Sequence, residues 1–142
     1  MDNSYTLDAS ALYKLAAEKE KLVQHQEALM LYQQSQAQRP HPVTALRIAQ
    51  QLFAMGRFSE IEYPERELWT DGWIRIGILA SALQNDEPAL QGWLAHSKKV
   101  RESKFIKAFL EVIYHDDKPL SQRARLVAPV LVAKEYAGLL RL

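Results

Sequence analysis

The stretch Asp71-Gly72-Trp73-Ile74-Arg75-Ile76-Gly77-Ile78-Leu79-Ala80-Ser81-Ala82-Leu83 decides the fold class. Within it, Trp73, Ile76 and Ala80 recur at spacings of three and four, which is the period of an α-helix. Apolar residues recur in the same way along the rest of the chain, and the alternation typical of strands is almost absent. The sequence therefore predicts an all-α protein.

Further helices are predicted on both sides of this stretch. Asp8 and Asp86 are the expected N-caps of two of them, and Gly56 is expected to end another in the left-handed conformation. The stretch 58–69 contains Pro64, which breaks a helix interior, so we expect two short pieces there. The predicted helices are one through Leu12 to Leu22, one through Ala28 to Tyr32, then 43–55, 71–83, 87–99 and 103–114, and a C-terminal helical segment with a kink at Pro129.

The composition is that of one folded domain. The 142 residues are 48% hydrophobic and 25% charged, which argues against disorder. The absence of cysteine excludes disulfides, thiolate zinc sites and a cysteine nucleophile. The N-terminus lacks a signal-peptide pattern, and no apolar run is long enough to span a membrane. We therefore expect a cytoplasmic protein.

The helical segments contain an internal repeat. Its four starts, at Ala9, Pro42, Thr70 and Glu102, recur at similar intervals, of which the middle one is the shortest. The residues at matching positions are Leu12, Leu15, Ala16, Lys19, Ala28, Tyr32, Ser35 and Pro40; then Ala45, Ile48, Ala49, Leu52, Gly56 and Phe58; then Trp73, Ile76, Gly77, Ala80, Ala89 and Trp93; and lastly Phe105, Ala108, Phe109 and Val112.

This pattern resembles the tetratricopeptide repeat, a helical hairpin of about 34 residues. In that family, small residues at positions 8, 20 and 27 allow two helices to approach closely, and large residues at positions 4, 7, 11 and 24 fill the space between them. The resemblance implies antiparallel helical hairpins stacked as a short tetratricopeptide-like solenoid with C-terminal capping helices. Residues 1–142 would form a single domain with hairpins at about 9–40, 42–69, 70–100 and 102–142. The short middle interval predicts a distorted second hairpin, and an irregular helical bundle is the alternative.

The sequence offers no catalytic, cofactor or metal site. The four histidines have no metal-ligand spacing, and there is no glycine-rich phosphate loop. Glu60, Glu62, Glu65 and Glu67 form an acidic cluster, which we interpret as a solvated loop rather than a pair of catalytic carboxylates. The loop His115-Asp116-Asp117 is interpreted as a helix stop. We therefore predict that the protein is not an enzyme and uses no cofactor.

The resemblance also implies a partner-binding groove, because the first helices of successive hairpins line such a groove in this family. The groove would be apolar at its centre and would suit an amphipathic helix or an apolar segment. Alternatively, the C-terminal helices cover it through Leu131, Tyr136, Leu139 and Leu140. The predicted groove residues are Tyr13, Ala17, Leu46, Gln50, Phe53, Ile74 and Ile78.

The basic residues are concentrated in the C-terminal third. Residues 1–97 carry 8 Lys/Arg and 12 Asp/Glu, whereas residues 98–142 carry 10 and 5. This region, the basic rim, is predicted to orient an acidic partner. Nucleic acid is disfavoured, because Phe105 and Phe109 are the nearby aromatic residues and both fit the hairpin core better. The basic rim consists of Lys98, Lys99, Arg101, Lys104 and Lys107.

These features favour a non-enzymatic protein–protein interaction module. We expect an adaptor or small chaperone that binds an apolar or amphipathic segment of another protein. In size, in its Gly-x-aromatic turn and in its Trp-rich third hairpin, the chain is similar to the small helical-hairpin chaperones of bacterial secretion systems. The alternative is a helical accessory domain of a larger enzyme such as a glycosyltransferase, since the sequence stops within an apolar helix. A homo-oligomer formed through uncovered hairpin ends is a third possibility.

Overall fold

The computed structural model describes residues 7–114, which form seven α-helices and no strand. The prediction of an all-α protein is confirmed for this part of the chain. The C-terminal capping helices and the kink at Pro129 lie outside the described residues. The helices are α1 (Ala9–Lys21), α2 (His25–Gln38), α3 (Pro42–Ala54), α4 (Asp71–Leu83), α5 (Glu87–His96), α6 (Lys98–Arg101) and α7 (Lys104–Tyr114).

Side-chain caps begin the helices where the sequence predicts them. The Asp8 carboxylate accepts a hydrogen bond of 2.7 Å from the backbone N–H of Ala11, and Asp86 caps α5 in the same way. Such bonds satisfy donors that have no partner within the helix. Helix α5 ends at His96, short of the predicted 99, because Ser97 is extended and its hydroxyl caps α6.

Three helices end in the same hydrogen-bonded turn. The residues after the C-caps of α1, α3 and α4 are Val23, Gly56 and Asn85, with φ of 60°, 71° and 57°. In each turn, the next backbone N–H bonds to the carbonyl five residues earlier, as Arg57 does to Leu52 at 2.9 Å. This is the Schellman motif. The prediction for Gly56 is confirmed, whereas Val23 occupies a conformation that a β-branched side chain rarely adopts.

Helices α1 and α2 form a closely packed antiparallel hairpin. Ala16, Ala28 and Tyr32 have no exposed surface and form one cluster, in which the two alanines let the helices approach. Lys19, the residue that departs from the repeat pattern, forms an ion pair of 3.3 Å with Glu27 across the hairpin.

Helices α4 and α5 form a second hairpin with equivalent packing. A Cβ atom at Gly77 would lie 2.1 Å from two ring carbons of Trp93, so only glycine fits there. The separation in sequence between Ala16 and Gly77 equals that between Tyr32 and Trp93. The two hairpins therefore place a small residue against an aromatic residue at the same repeat positions.

Helix α3 has no second α-helix of its own. Instead, residues 58–69 form a connector that contains two single 3₁₀ turns, Phe58–Glu60 and Arg66–Leu68. The prediction that Pro64 prevents a continuous helix here is confirmed. The connector is anchored by Phe58, whose ring lies 5.6 Å from that of Phe53, and by the buried Ile61.

The main core is centred on α4. Every residue from Ile76 to Leu83 is buried, so this helix is covered on all sides, as expected of a helix that is apolar all round. Val100, Ile106 and Phe109 attach α6 and α7 to the same core. Among the described residues, no helix combines the length and apolarity needed to cross a membrane.

Candidate partner-binding surfaces

Three of the seven predicted groove residues lie at the surface. Tyr13, Ala17 and Leu46 are half-buried, on α1 and α3. Leu46 also contacts the start of α4, since a Cβ at Gly72 would lie 2.8 Å from its Cδ2. A partner could therefore contact Leu46 only on the side that faces away from α4.

The other four predicted groove residues are buried. Phe53 and Ile78 have no exposed surface, and Ile74 retains 3%. The Gln50 side chain is also buried, and its carbonyl oxygen accepts a hydrogen bond of 2.8 Å from the Arg47 guanidinium. A partner could reach Phe53, Ile74 and Ile78 only after these side chains become uncovered, so the apolar centre of the groove stays a prediction.

A polar network connects α1 and α3 on the same face. The Arg47 guanidinium donates a hydrogen bond of 3.3 Å to the Tyr13 hydroxyl, and the Tyr13 ring lies 5.3 Å from the Tyr32 ring in an edge-on arrangement. The Tyr32 hydroxyl donates to the Glu20 carboxylate at 2.8 Å. Burial, followed by the neighbouring Tyr13, raises the pKa of Tyr32 to about 12, and the positive charge of Arg47 opposes this rise. The network links α1 to α3.

A basic cleft of about 410 Å³ opens at the end of this face. Its charged groups are Lys14 and Arg39. Tyr13, one of the predicted groove residues, lines the same cleft. The full lining is Ala9, Ser10, Tyr13, Lys14, Ser35, Arg39, His41, Val43 and Thr44.

A larger cleft of about 670 Å³ lies between α2, α3 and the connector, and we name it the α2–α3 cleft. Its floor is apolar and is formed by α3, whereas its rim is polar and acidic. The sequence did not predict it, although the short repeat interval that contains Pro64 was a signal of missing structure there. The floor residues are Ala45, Ile48, Ala49 and Leu52, and the others are Gln33, Gln36, Ala37, Ser59, Glu60 and Glu62.

The acidic rim of this cleft is partly neutralised. The Arg57 guanidinium donates two hydrogen bonds to the Glu60 carboxylate, of 2.5 Å and 2.7 Å, and a third of 3.0 Å to Gln26 on α2. The bonds from Arg57 lower the pKa of Glu60 and raise that of Arg57. Glu62 is exposed and forms no ion pair with another described residue. Glu62 therefore carries the free negative charge of the rim.

An aromatic cluster fixes the connector to the α4–α5 hairpin. The rings of Trp69 and Trp93 stack with centroids 3.8 Å apart, and the Trp69 indole N–H donates to the Pro64 carbonyl at 2.9 Å. The Tyr63 ring lies 5.0 Å from that of Trp93, and burial raises the pKa of Tyr63 to about 12. Arg66 covers the Trp69 ring from 5.5 Å. Because Trp69 stacks on Trp93, is covered by Arg66 and donates to Pro64, the cluster fixes the connector in place.

The predicted basic rim is distributed over α6 and α7. Lys99 forms an ion pair of 3.1 Å with Asp71, and Arg101 donates to the Leu94 carbonyl at 3.2 Å. These two residues attach α6 to the neighbouring helices. The remaining three, Lys98, Lys104 and Lys107, are exposed.

Within residues 7–111, no group of three or more His, Asp or Glu side chains could hold a metal ion. No family model matches the chain, and the searches of curated proteins and of solved structures give no match either.

Proposed function

We propose that this protein is a non-enzymatic interaction module that binds an apolar or amphipathic segment of another protein, as an adaptor or small chaperone. The observation that carries the proposal is the α2–α3 cleft, whose apolar floor a partner can reach at the half-buried Ala45 and Ile48, while Ala49 and Leu52 are buried beneath it. Open concave surfaces with an apolar floor and a polar rim are the usual form of segment-binding sites.

The proposal includes a tetratricopeptide-like stacking of the hairpins. Its support is the equivalent packing of Ala16 with Tyr32 and of Gly77 with Trp93, at the same separation in the sequence. Repeat arrays of this kind present extended surfaces for partners. Helix α3, which contributes to both clefts, would then be the central element of the binding surface.

Affinity capture with crosslinking and mass spectrometry tests the proposal. The tagged full-length chain is captured from its source cells, and crosslinked peptides are identified. We expect crosslinks from a second protein to Lys14, which lines the basic cleft beside α3, and fewer to Lys104 and Lys107. Crosslinks between copies of this chain alone, repeated over several growth conditions, would overturn the proposal in favour of self-assembly.

A pair of variants locates the surface in the same assay. Ala37 is exposed and lines the α2–α3 cleft, whereas Gln34 is exposed on the same helix outside the lining. We expect Ala37→Trp to reduce capture of the partner and Gln34→Trp to leave it unchanged, with both variants as helical as the wild type by circular dichroism. Equal capture by both variants would place the binding surface outside the α2–α3 cleft.

A further inference from the structure

The floor of the α2–α3 cleft has a counterpart in each complete hairpin. Ala45, Ile48, Ala49 and Leu52 occupy the same repeat positions as Leu12, Leu15, Ala16 and Lys19 in α1. In that hairpin, Ala16 packs on Tyr32 of α2, and Lys19 pairs with Glu27 of α2. The same positions of α3 therefore face the place that a second helix of its own hairpin would occupy.

The hairpin formed by α4 and α5 indicates the same position for a second helix beside α3. Ala49 occupies the repeat position of Gly77, and Gly77 contacts Trp93 on the second helix of its hairpin. In α3, by contrast, the connector contributes Phe58 and Ile61 to the core that buries Ala49 and Leu52, and leaves Ala45 and Ile48 half-buried. Among the described residues, the cleft is thus the part of a second helix's position that the connector leaves uncovered.

The length of the cleft floor and the size of its side chains indicate which kind of segment could dock there. The floor from Ala45 to Leu52 covers two helical turns, about 10 Å at 1.5 Å per residue. The alanines on the floor and Ala37 on the wall let another backbone approach closely. In both complete hairpins the small residue at this position receives an aromatic side chain, Tyr32 or Trp93. In α3 the equivalent Ala49 is already buried, so the occupant is expected to be a helix whose apolar face lies on the half-buried Ala45 and Ile48.

The charge of the cleft rim indicates which charge the docked helix should carry on the flank that faces the connector. The cleft is lined by Glu60 and Glu62 and by no lysine or arginine, and Arg57 already pairs with Glu60. Glu62 is left to meet the occupant. A helix with lysine or arginine on the flank that faces the connector complements this charge, whereas an acidic flank is repelled.

From these observations we infer that the α2–α3 cleft binds a basic amphipathic helix of a partner protein, which completes the second hairpin in place of the missing helix. The inference rests on the proposed function and specifies its ligand. The docked helix buries apolar residues at three- and four-residue spacing on the half-buried Ala45 and Ile48 of α3, and directs a basic flank toward Glu62.

Peptide binding tests this inference on the full-length protein. The probe is a fluorescent synthetic peptide of roughly four helical turns, with a central Trp, Leu and Ala at helical spacing, and Lys along one flank. A second peptide carries Glu in place of Lys. By fluorescence anisotropy we expect the Lys peptide to bind at least about tenfold more tightly than the Glu peptide. Equal affinity of the two peptides would overturn the charge assignment and with it the inference.

Variants with matched controls place the probe in the cleft. We expect Ala37→Trp to weaken the Lys peptide by at least about tenfold, because the indole fills the cleft, and Gln34→Trp to have no effect. Glu62→Lys should reverse the preference between the two peptides, whereas Glu67→Lys, in the connector but outside the lining, should not. If a normally folded Ala37→Trp or Glu62→Lys variant binds the peptides as the wild type does, the inference is overturned.

Two further outcomes separate this inference from the proposed function. If the wild type captures a cellular partner and Ala37→Trp captures it equally well, the cleft assignment is wrong while the interaction function stands. If Ala37→Trp instead abolishes a wild-type dimer in analytical ultracentrifugation, the occupant is a second copy of this chain, which also overturns the inference.

Discussion

The contact between Gly77 and Trp93 gives the sharpest prediction for stability. The Cβ atom added by Gly77→Ala lies 2.1 Å from two carbons of the indole, whereas carbon atoms in contact stay about 3.5–4.0 Å apart. The Trp93 ring must therefore move by roughly 1.5 Å to restore ordinary contact, which also disturbs its stack on Trp69. Overpacking costs about 1–3 kcal/mol and the lost stack about 0.5–1.5 kcal/mol, while alanine gains about 1 kcal/mol of helix propensity.

We therefore expect Gly77→Ala to lower the free energy of unfolding by about 2 kcal/mol and the Tm by roughly 6–10 °C. The matched control is Gly92→Ala in α5, where an added Cβ has no neighbour within 4 Å. That change should raise stability by about 0.5–1 kcal/mol through helix propensity alone. Thermal and denaturant unfolding followed by circular dichroism measure both. A Gly77→Ala protein as stable as the wild type would refute the close packing of the α4–α5 hairpin.

Three other predictions concern stability; two are checked by the same unfolding assays and one by absorbance titration. Val23→Gly should raise stability by about 1 kcal/mol, because glycine adopts the left-handed conformation at φ 60° without strain, and a loss would contradict this. The raised pKa of Tyr32, whose side chain is fully buried, favours the folded state up to about pH 10, and this contribution should be lost as the pH rises from about 10 toward 12. Absorbance titration should show a phenol that ionises near pH 12 and is absent in Tyr32→Phe; ionisation of this phenol near pH 10 would disprove it. Ser35→Ala should cost about 1 kcal/mol, since its buried hydroxyl donates to the Ala9 carbonyl at 2.7 Å, and a neutral change would show that this bond is unimportant.

Local sequence signals predicted the helix boundaries well, because each acts over a few residues. Asp8 and Asp86 cap their helices through bonds to backbone groups three residues on, and Gly56 ends α3 by its own conformational freedom. Val23 ends α1 in the same way, but a β-branched residue gives no signal of a left-handed turn. There the tertiary packing of the hairpin overrides local preference.

The candidate site was predictable only in part, because periodicity shows which residues are apolar but not what covers them. Ile74 and Ile78 lie on a helix that is apolar all round, so the pattern could not distinguish a groove from the core in which the structure places them. The α2–α3 cleft lies where residues 58–69 form the connector rather than a continuous helix. Only the short repeat interval around Pro64 indicated this difference. The stack of Trp69 on Trp93, which fixes the connector, joins two separate segments without any regular period.

The central claim is that the α2–α3 cleft is the partner-binding site, and site-specific photo-crosslinking in living cells tests it most directly. A benzophenone side chain is placed at Ala37, on the cleft wall, or at Gln34, on the same helix outside the lining. The account predicts a crosslink from Ala37 to one partner segment that is basic and helical in pattern, and none from Gln34. A partner crosslinked equally from both positions, or from Gln34 alone, would contradict it.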